Sequence, residues 1–76
     1  MNRERRKALR NILDQLETLQ SQLEDIQAEE EDYRDNFPEN LQSGERYERA
    51  EEICENLSDA VDSLEEVVSS IEDAIE

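Results

Sequence analysis

Two apolar seams separated by a single break constrain this chain more than any other feature. Leu9, Ile12, Leu16, Leu19, Leu23, Ile26, Glu30, Tyr33 and Phe37 follow one another in alternating steps of three and four. Tyr47, Ala50, Cys54, Leu57, Val61, Leu64, Val68, Ile71 and Ile75 repeat the alternation in the second half. Such steps hold one stripe of an α-helix facing one way, whereas a strand would need steps of two. Only Glu30 interrupts the apolar or aromatic character. Between the seams stands Asp35-Asn36-Phe37-Pro38-Glu39-Asn40-Leu41-Gln42-Ser43-Gly44, which holds the only proline and the only glycine. Pro38 lacks an amide hydrogen and disfavours helical backbone at Phe37, so a first helix should stop at Asp35 or Asn36. Ser43 is the expected N-cap of a second helix, with Glu45 favoured in its first turn by the helix dipole.

The pattern predicts one all-α unit over residues 1–76: a first helix over about 3–35, a loop over about 36–43 and a second helix over about 44–75. Each helix would be about 48 Å long at 1.5 Å per residue. So short a loop folds them into an antiparallel two-helix hairpin, a coiled coil. If paired residue numbers sum to 80, Leu9 meets Ile71, Leu16 meets Leu64, Leu23 meets Leu57 and Tyr33 meets Tyr47, with the midpoint inside the loop.

The second helix carries more apolar surface than one neighbour covers. Ile53, Ala60, Val67 and Ala74 recur every seven residues beside its seam, whereas the first helix adds only Ala8 and Leu13 and otherwise flanks its own with Gln15, Gln20, Gln22 and Gln27. Two arrangements would use that extra column: a dimer of hairpins forming a four-helix bundle, or a groove for a foreign partner. The prevalence of symmetric self-association favours the homodimer.

Charge sets the function classes. The chain has 23 acids, 8 bases, no histidine and one cysteine, for a net charge of −15. Histidine-based metal sites, Ser–His and Cys–His nucleophiles and disulfide frameworks are therefore excluded. With no convergent acid–base set, no enzyme and no cofactor are expected. The run Glu29-Glu30-Glu31-Asp32 lacks the spacing and glycine of a calcium loop. No apolar run reaches membrane-spanning length, no secretory core follows the basic start, and a lone thiol suits a reducing compartment. A cytoplasmic protein without membrane association is expected.

The charge is also uneven. Residues 1–10 carry Arg3, Arg5, Arg6, Lys7 and Arg10 against Glu4, a net +4, and residues 11–76 carry a net −19. The basic start is either a nucleic-acid arm or a local counterweight to Glu72, Asp73 and Glu76 at the far end of the second helix. Repulsion from the −19 argues against direct nucleic-acid binding. On the second helix Glu48, Glu52, Glu55, Asp59, Asp62 and Glu66 step by three and four, with carboxylates about 5 Å apart along the axis. That spacing is comparable to nucleic-acid phosphates, so the column could imitate a nucleic-acid backbone for a basic protein surface. A solubilising face and adaptation to high salt are the alternatives. Like charges at i,i+4 cost about 0.2–0.5 kcal/mol per pair in an isolated helix, and few bases offset them here.

Other single features have plainer readings. Glu30 can extend to water from a seam position next to the loop. Cys54 reads as a small buried hydrophobe rather than a reactive thiol. The sequon Asn56-Leu57-Ser58 lies inside a helix with no secretory context. Tyr33, Phe37 and Tyr47, with Leu41, form either a plug closing the hairpin or, through Phe37 and Leu41, an exposed anchor for a partner.

The central segment Asp35-Asn36-Phe37-Pro38-Glu39-Asn40-Leu41-Gln42, followed by Glu45-Arg46-Tyr47-Glu48, resembles a group of short proteins of bacteriophages, prophages and related mobile elements. They share a Pro-Glu-(Asn/Ser)-Leu-Gln turn, a Ser-Glu-Arg start to the second helix and an acidic Leu/Ile heptad tail. Here Ser43-Gly44 precedes Glu45-Arg46, so that start departs from the group. The resemblance implies a bacterial host cell as the setting. Small acidic phage proteins that inhibit host defence or nucleic-acid enzymes offer an analogy for the charge. The expected function is a non-enzymatic inhibitor or modulator that presents its carboxylate column to a host protein with a basic surface. The alternative is a structural or adaptor coiled coil acting through apolar contacts.

Overall fold

The computed structural model describes residues 1–76 as two long helices, α1 (Arg3–Asp35) and α2 (Glu45–Ile75), joined by a loop with one 3₁₀ turn at Glu39–Leu41. The helices pack along their length as a helical hairpin, a rod with extents of 59 × 15 × 13 Å. α1 starts under a side-chain cap: Arg5 N–H donates to Asn2 Oδ1 at 2.8 Å. It ends where Pro38 forbids continuation, with Asn36 as C-cap and its N–H donating to the Asp32 carbonyl at 3.0 Å. Leu41 N–H then donates to the Pro38 carbonyl at 2.9 Å, and Gly44 N–H to the Leu41 carbonyl at 3.2 Å. This second turn carries the chain one residue further than expected before α2 begins. The N-cap of α2 is therefore Gly44, with no side-chain bond, and not Ser43.

Only five side chains are buried: Leu13, Ala50, Cys54, Val61 and Val68. Four of them belong to the α2 seam, which faces α1 as its pattern predicts. The α1 seam does not behave the same way. Leu9, Leu16, Leu23, Glu30 and Phe37 are half-buried, but Ile12, Leu19, Ile26 and Tyr33 are 44%, 54%, 49% and 54% exposed. Leu13 is buried in their place, and Gln20, Gln27 and Arg34 are half-buried in the same row.

The register explains the rotation. Phe37 stacks edge-on against Tyr47 with centroids 5.5 Å apart, and Gln20 Nε2 donates to Glu65 Oε1 at 3.4 Å. These pairs sum to 84 and 85, where 80 was expected, so the midpoint lies near Gln42 instead of Asn40. The 3₁₀ turn and the turn through Gly44 take up those residues. The shift turns α1 about its axis, and the row one position beyond Ile12, Leu19, Ile26 and Tyr33 meets α2 instead.

Candidate interaction surface

A hairpin one helix thick has two broad faces, and helical periodicity assigns each row of side chains to one of them. The Gln20–Glu65 hydrogen bond, and the hollow lined by Glu31, Arg34, Glu51, Cys54, Glu55 and Ser58, fix one face. It carries the Gln20–Gln27–Arg34 row of α1 and the Glu51–Ser58–Glu65–Glu72 row of α2. The opposite face must then carry Ile12, Leu19, Ile26 and Tyr33 from α1 and Ile53, Ala60, Val67 and Ala74 from α2. Along this second face Ile53 is half-buried, Ala60 and Ala74 are exposed, and Val67 is 46% exposed.

The acids of α2 respect the same division. Glu48, Glu52, Glu55, Asp59, Asp62 and Glu66 are all exposed, on turns that bring successive carboxylates about 5 Å along the axis. Every Asp and Glu of α2 falls in three adjoining rows, those containing Glu48, Glu51 and Glu52. The remaining rows on the apolar side hold Arg49, Asn56, Ser63 and Ser70, then Arg46, Ile53, Ala60, Val67 and Ala74, with no acid in either. One edge of the rod is thus densely anionic, and on the apolar face α2 offers no acid, its charges there being Arg46 and Arg49. The only ion pairs in the molecule are Arg34–Asp35 at 3.0 Å and Arg49–Glu52 at 3.2 Å. Glu48, Glu55, Asp59, Asp62 and Glu66 have no basic neighbour within 4.0 Å.

The basic start is placed without ion pairs. Arg3, Arg6, Lys7 and Arg10 line one hollow, and no acid lies within 4.0 Å of any of them. Of the two readings of the basic start, the local counterweight to Glu72, Asp73 and Glu76 does not take the form of direct salt bridges.

At the loop end Phe37 is half-buried between two tyrosines, edge-on to Tyr33 at 5.1 Å and to Tyr47 at 5.5 Å. Gln42 Nε2 donates to the Phe37 carbonyl at 3.3 Å and ties the loop to this cluster. Phe37 therefore forms a plug that closes the hairpin, while Leu41 is left 51% exposed. Cys54 is 4% exposed. Burial pushes its thiol above the ordinary value of 9.0; Glu31, Glu30 and Asp35 add to that, and Arg34 opposes it. A protonated, enclosed thiol is a poor nucleophile. No group of three or more His, Cys, Asp or Glu side chains is placed to hold a metal ion. Neither helix is long and apolar enough to cross a membrane.

The exposed α1 stripe is the element that sequence reasoning missed. Its four residues read as seam because they are as apolar and as regularly spaced as the residues that are buried. The signal that could have found it was Leu13, an apolar residue outside the seam. Compared with protein-family models, with curated proteins and with solved structures, the chain finds no match in any of the three.

Proposed function

We propose that this protein is a non-enzymatic interaction protein of a bacteriophage or related mobile element. It works as a dimer of hairpins in the host cytoplasm and presents Glu48, Glu52, Glu55, Asp59, Asp62 and Glu66 to the basic surface of a host protein that ordinarily binds nucleic acid. The carrying observation is that five of these six exposed carboxylates have no ion-pair partner within the molecule. An anionic edge left open along a rigid helix attracts a cationic groove over its whole length.

Tagged wild-type protein and the triple variant Glu55→Lys/Asp59→Lys/Asp62→Lys, exposed to lysate of the host bacterium, test this reading. Wild type should retain one nucleic-acid-binding protein that is released by rising salt and by competing duplex DNA. The triple variant should retain none at unchanged helicity. Capture by the triple variant, or capture that resists both salt and DNA, would sink the mimicry.

A second reading, an adaptor coiled coil acting through apolar contacts, is favoured by the exposure of Ile12, Leu19, Ile26 and Tyr33. A partner bound there would survive the charge reversals and be lost with Leu19→Glu.

A further inference from the structure

The self-association proposed above leaves open which surfaces meet and in which direction. Building on that reading, we infer that a second copy of this chain covers the face carrying Ile12, Leu19, Ile26 and Tyr33, with the two hairpins head to tail so that their loops lie at opposite ends of a four-helix bundle.

The exposed area is large enough for such a cover. A compact folded chain of 8.9 kDa exposes about 4,800 Å² by the usual scaling of surface with mass, and this hairpin exposes 5965 Å². The excess, about 1,200 Å², is enough for the roughly 800 Å² that each partner contributes to a standard interface. The large apolar side chains of this excess are gathered on one face. Ile12, Leu19, Ile26, Tyr33 and Val67 account for five of the seven exposed large hydrophobic residues.

The stripe is also complementary to itself. A two-fold axis at the level between Gln22 and Leu23 sets Leu19 across from the partner's Ile26, and Ile12 across from the partner's Tyr33, on antiparallel copies of α1. The hairpin register places that axis between Val61 and Asp62 on α2. There it brings Ala60 opposite the partner's Ser63 and Ile53 opposite the partner's Ser70. Both are contacts between an apolar or small side chain and a small one in acid-free rows, so two strongly acidic helices can approach without opposing their carboxylates.

Charge selects the direction. Residues 29–52, at the loop end, hold ten acids and three arginines, a net −7. The open end, residues 1–10 with 70–76, holds five bases and four acids, a net +1. Loop beside loop would stack two −7 ends. Head to tail sets each −7 end against a +1 end, which is the less repulsive of the two arrangements, and the difference is greatest in low salt.

The test combines mass with one distance. Sedimentation equilibrium gives the mass, and pulsed electron–electron resonance on a spin label at Asn40→Cys, in a Cys54→Ala background, gives the separation of the two loops. Twice the 8.9 kDa chain mass with labels separated by about half the rod length or more, on the order of 40–55 Å, is the expected result. A dimer with labels within about 25 Å would overturn the head-to-tail arrangement and leave self-association standing. A monomer at all concentrations would overturn both. In the unlabelled protein, Leu19→Glu with Ile26→Glu should weaken the dimer at least 100-fold, and Glu17→Gln, on an exposed row away from that face, should leave it unchanged. A dimer unaffected by the double substitution would show that the covered face is elsewhere.

Discussion

The two helices have nearly the same length and the same apolar period, yet they meet their common interface differently. α2 turns its whole seam toward α1, and Ala50, Cys54, Val61 and Val68 are buried there. α1 turns only half of its seam inward and completes the contact with Leu13, Gln20, Gln27 and Arg34, leaving four large residues open. The difference teaches that a heptad stripe records the sum of all the surfaces a helix covers over its working life. Within one hairpin, the loop decides which part of that stripe faces inward. α2 reads as a helix with one apolar face and one anionic edge, and α1 as a helix with two apolar rows, only one of them covered within the hairpin.

The largest expected effect comes from exchanging neighbours across this divide. Leu13→Ala removes a buried side chain and should cost about 2–3 kcal/mol, since Leu→Ala costs about 2–5 in a full core and a rod this thin partly relaxes. Ile12→Ala, one residue earlier and 44% exposed, should cost less than about 1 kcal/mol in the isolated hairpin. Urea unfolding followed by circular dichroism at low and high protein concentration separates the two. At low concentration the costs should differ by at least about 1 kcal/mol; at high concentration the Ile12→Ala cost should rise, as it must for a residue buried by a second copy. Equal costs at every concentration would mean that α1 is rotated otherwise than described.

A gain of stability sharpens the same point. Gln27 is half-buried in the row of α1 that faces α2, where an apolar residue would bury more surface. Gln27→Leu should stabilise the hairpin by about 1 kcal/mol, and Ser21→Leu, on an exposed row, should change it by less than about 0.5 kcal/mol. Thermal unfolding of the two variants beside wild type checks this. A larger gain from Ser21→Leu than from Gln27→Leu would contradict the assignment of rows.

The sequence made the helices and the hairpin legible, because a Pro38 break between two uninterrupted three-and-four patterns leaves no other fold for so few apolar residues. The anionic edge was equally plain, since exposure of a carboxylate follows from its place opposite a seam. The rotation of α1 was not. It depends on a register difference of four to five in the paired residue numbers, set by how many residues the turn from Pro38 to Gly44 uses, and the register adopted buries the less apolar of the two rows. Leu13 against Ile12, and Gln20 against Leu19, differ by one position and about 100° around the helix. In sequence, Leu19 outranks Gln20 as a core residue, so hydrophobicity chose the wrong member of that pair.

The two helix starts give the smallest expected effects and complete the contrast. Asn2 caps α1 with a 2.8 Å bond to the Arg5 amide, whereas Gly44 opens α2 with no side-chain bond. Asn2→Ala should therefore cost about 1 kcal/mol, and Ser43→Ala, which removes a hydroxyl from the position before the cap, close to nothing. Gly44→Ser should gain a few tenths of a kcal/mol. Its backbone, at φ −85° and ψ 167°, is the extended conformation a capping serine adopts, and a Cβ there would meet only the Leu41 carbonyl oxygen at an ordinary 3.4 Å. Thermal unfolding of the three single variants at one protein concentration ranks them. If Ser43→Ala proves the costliest, the start of α2 lies one residue earlier, the turn through Gly44 is one residue shorter, and the register that exposes the α1 stripe loses its cause.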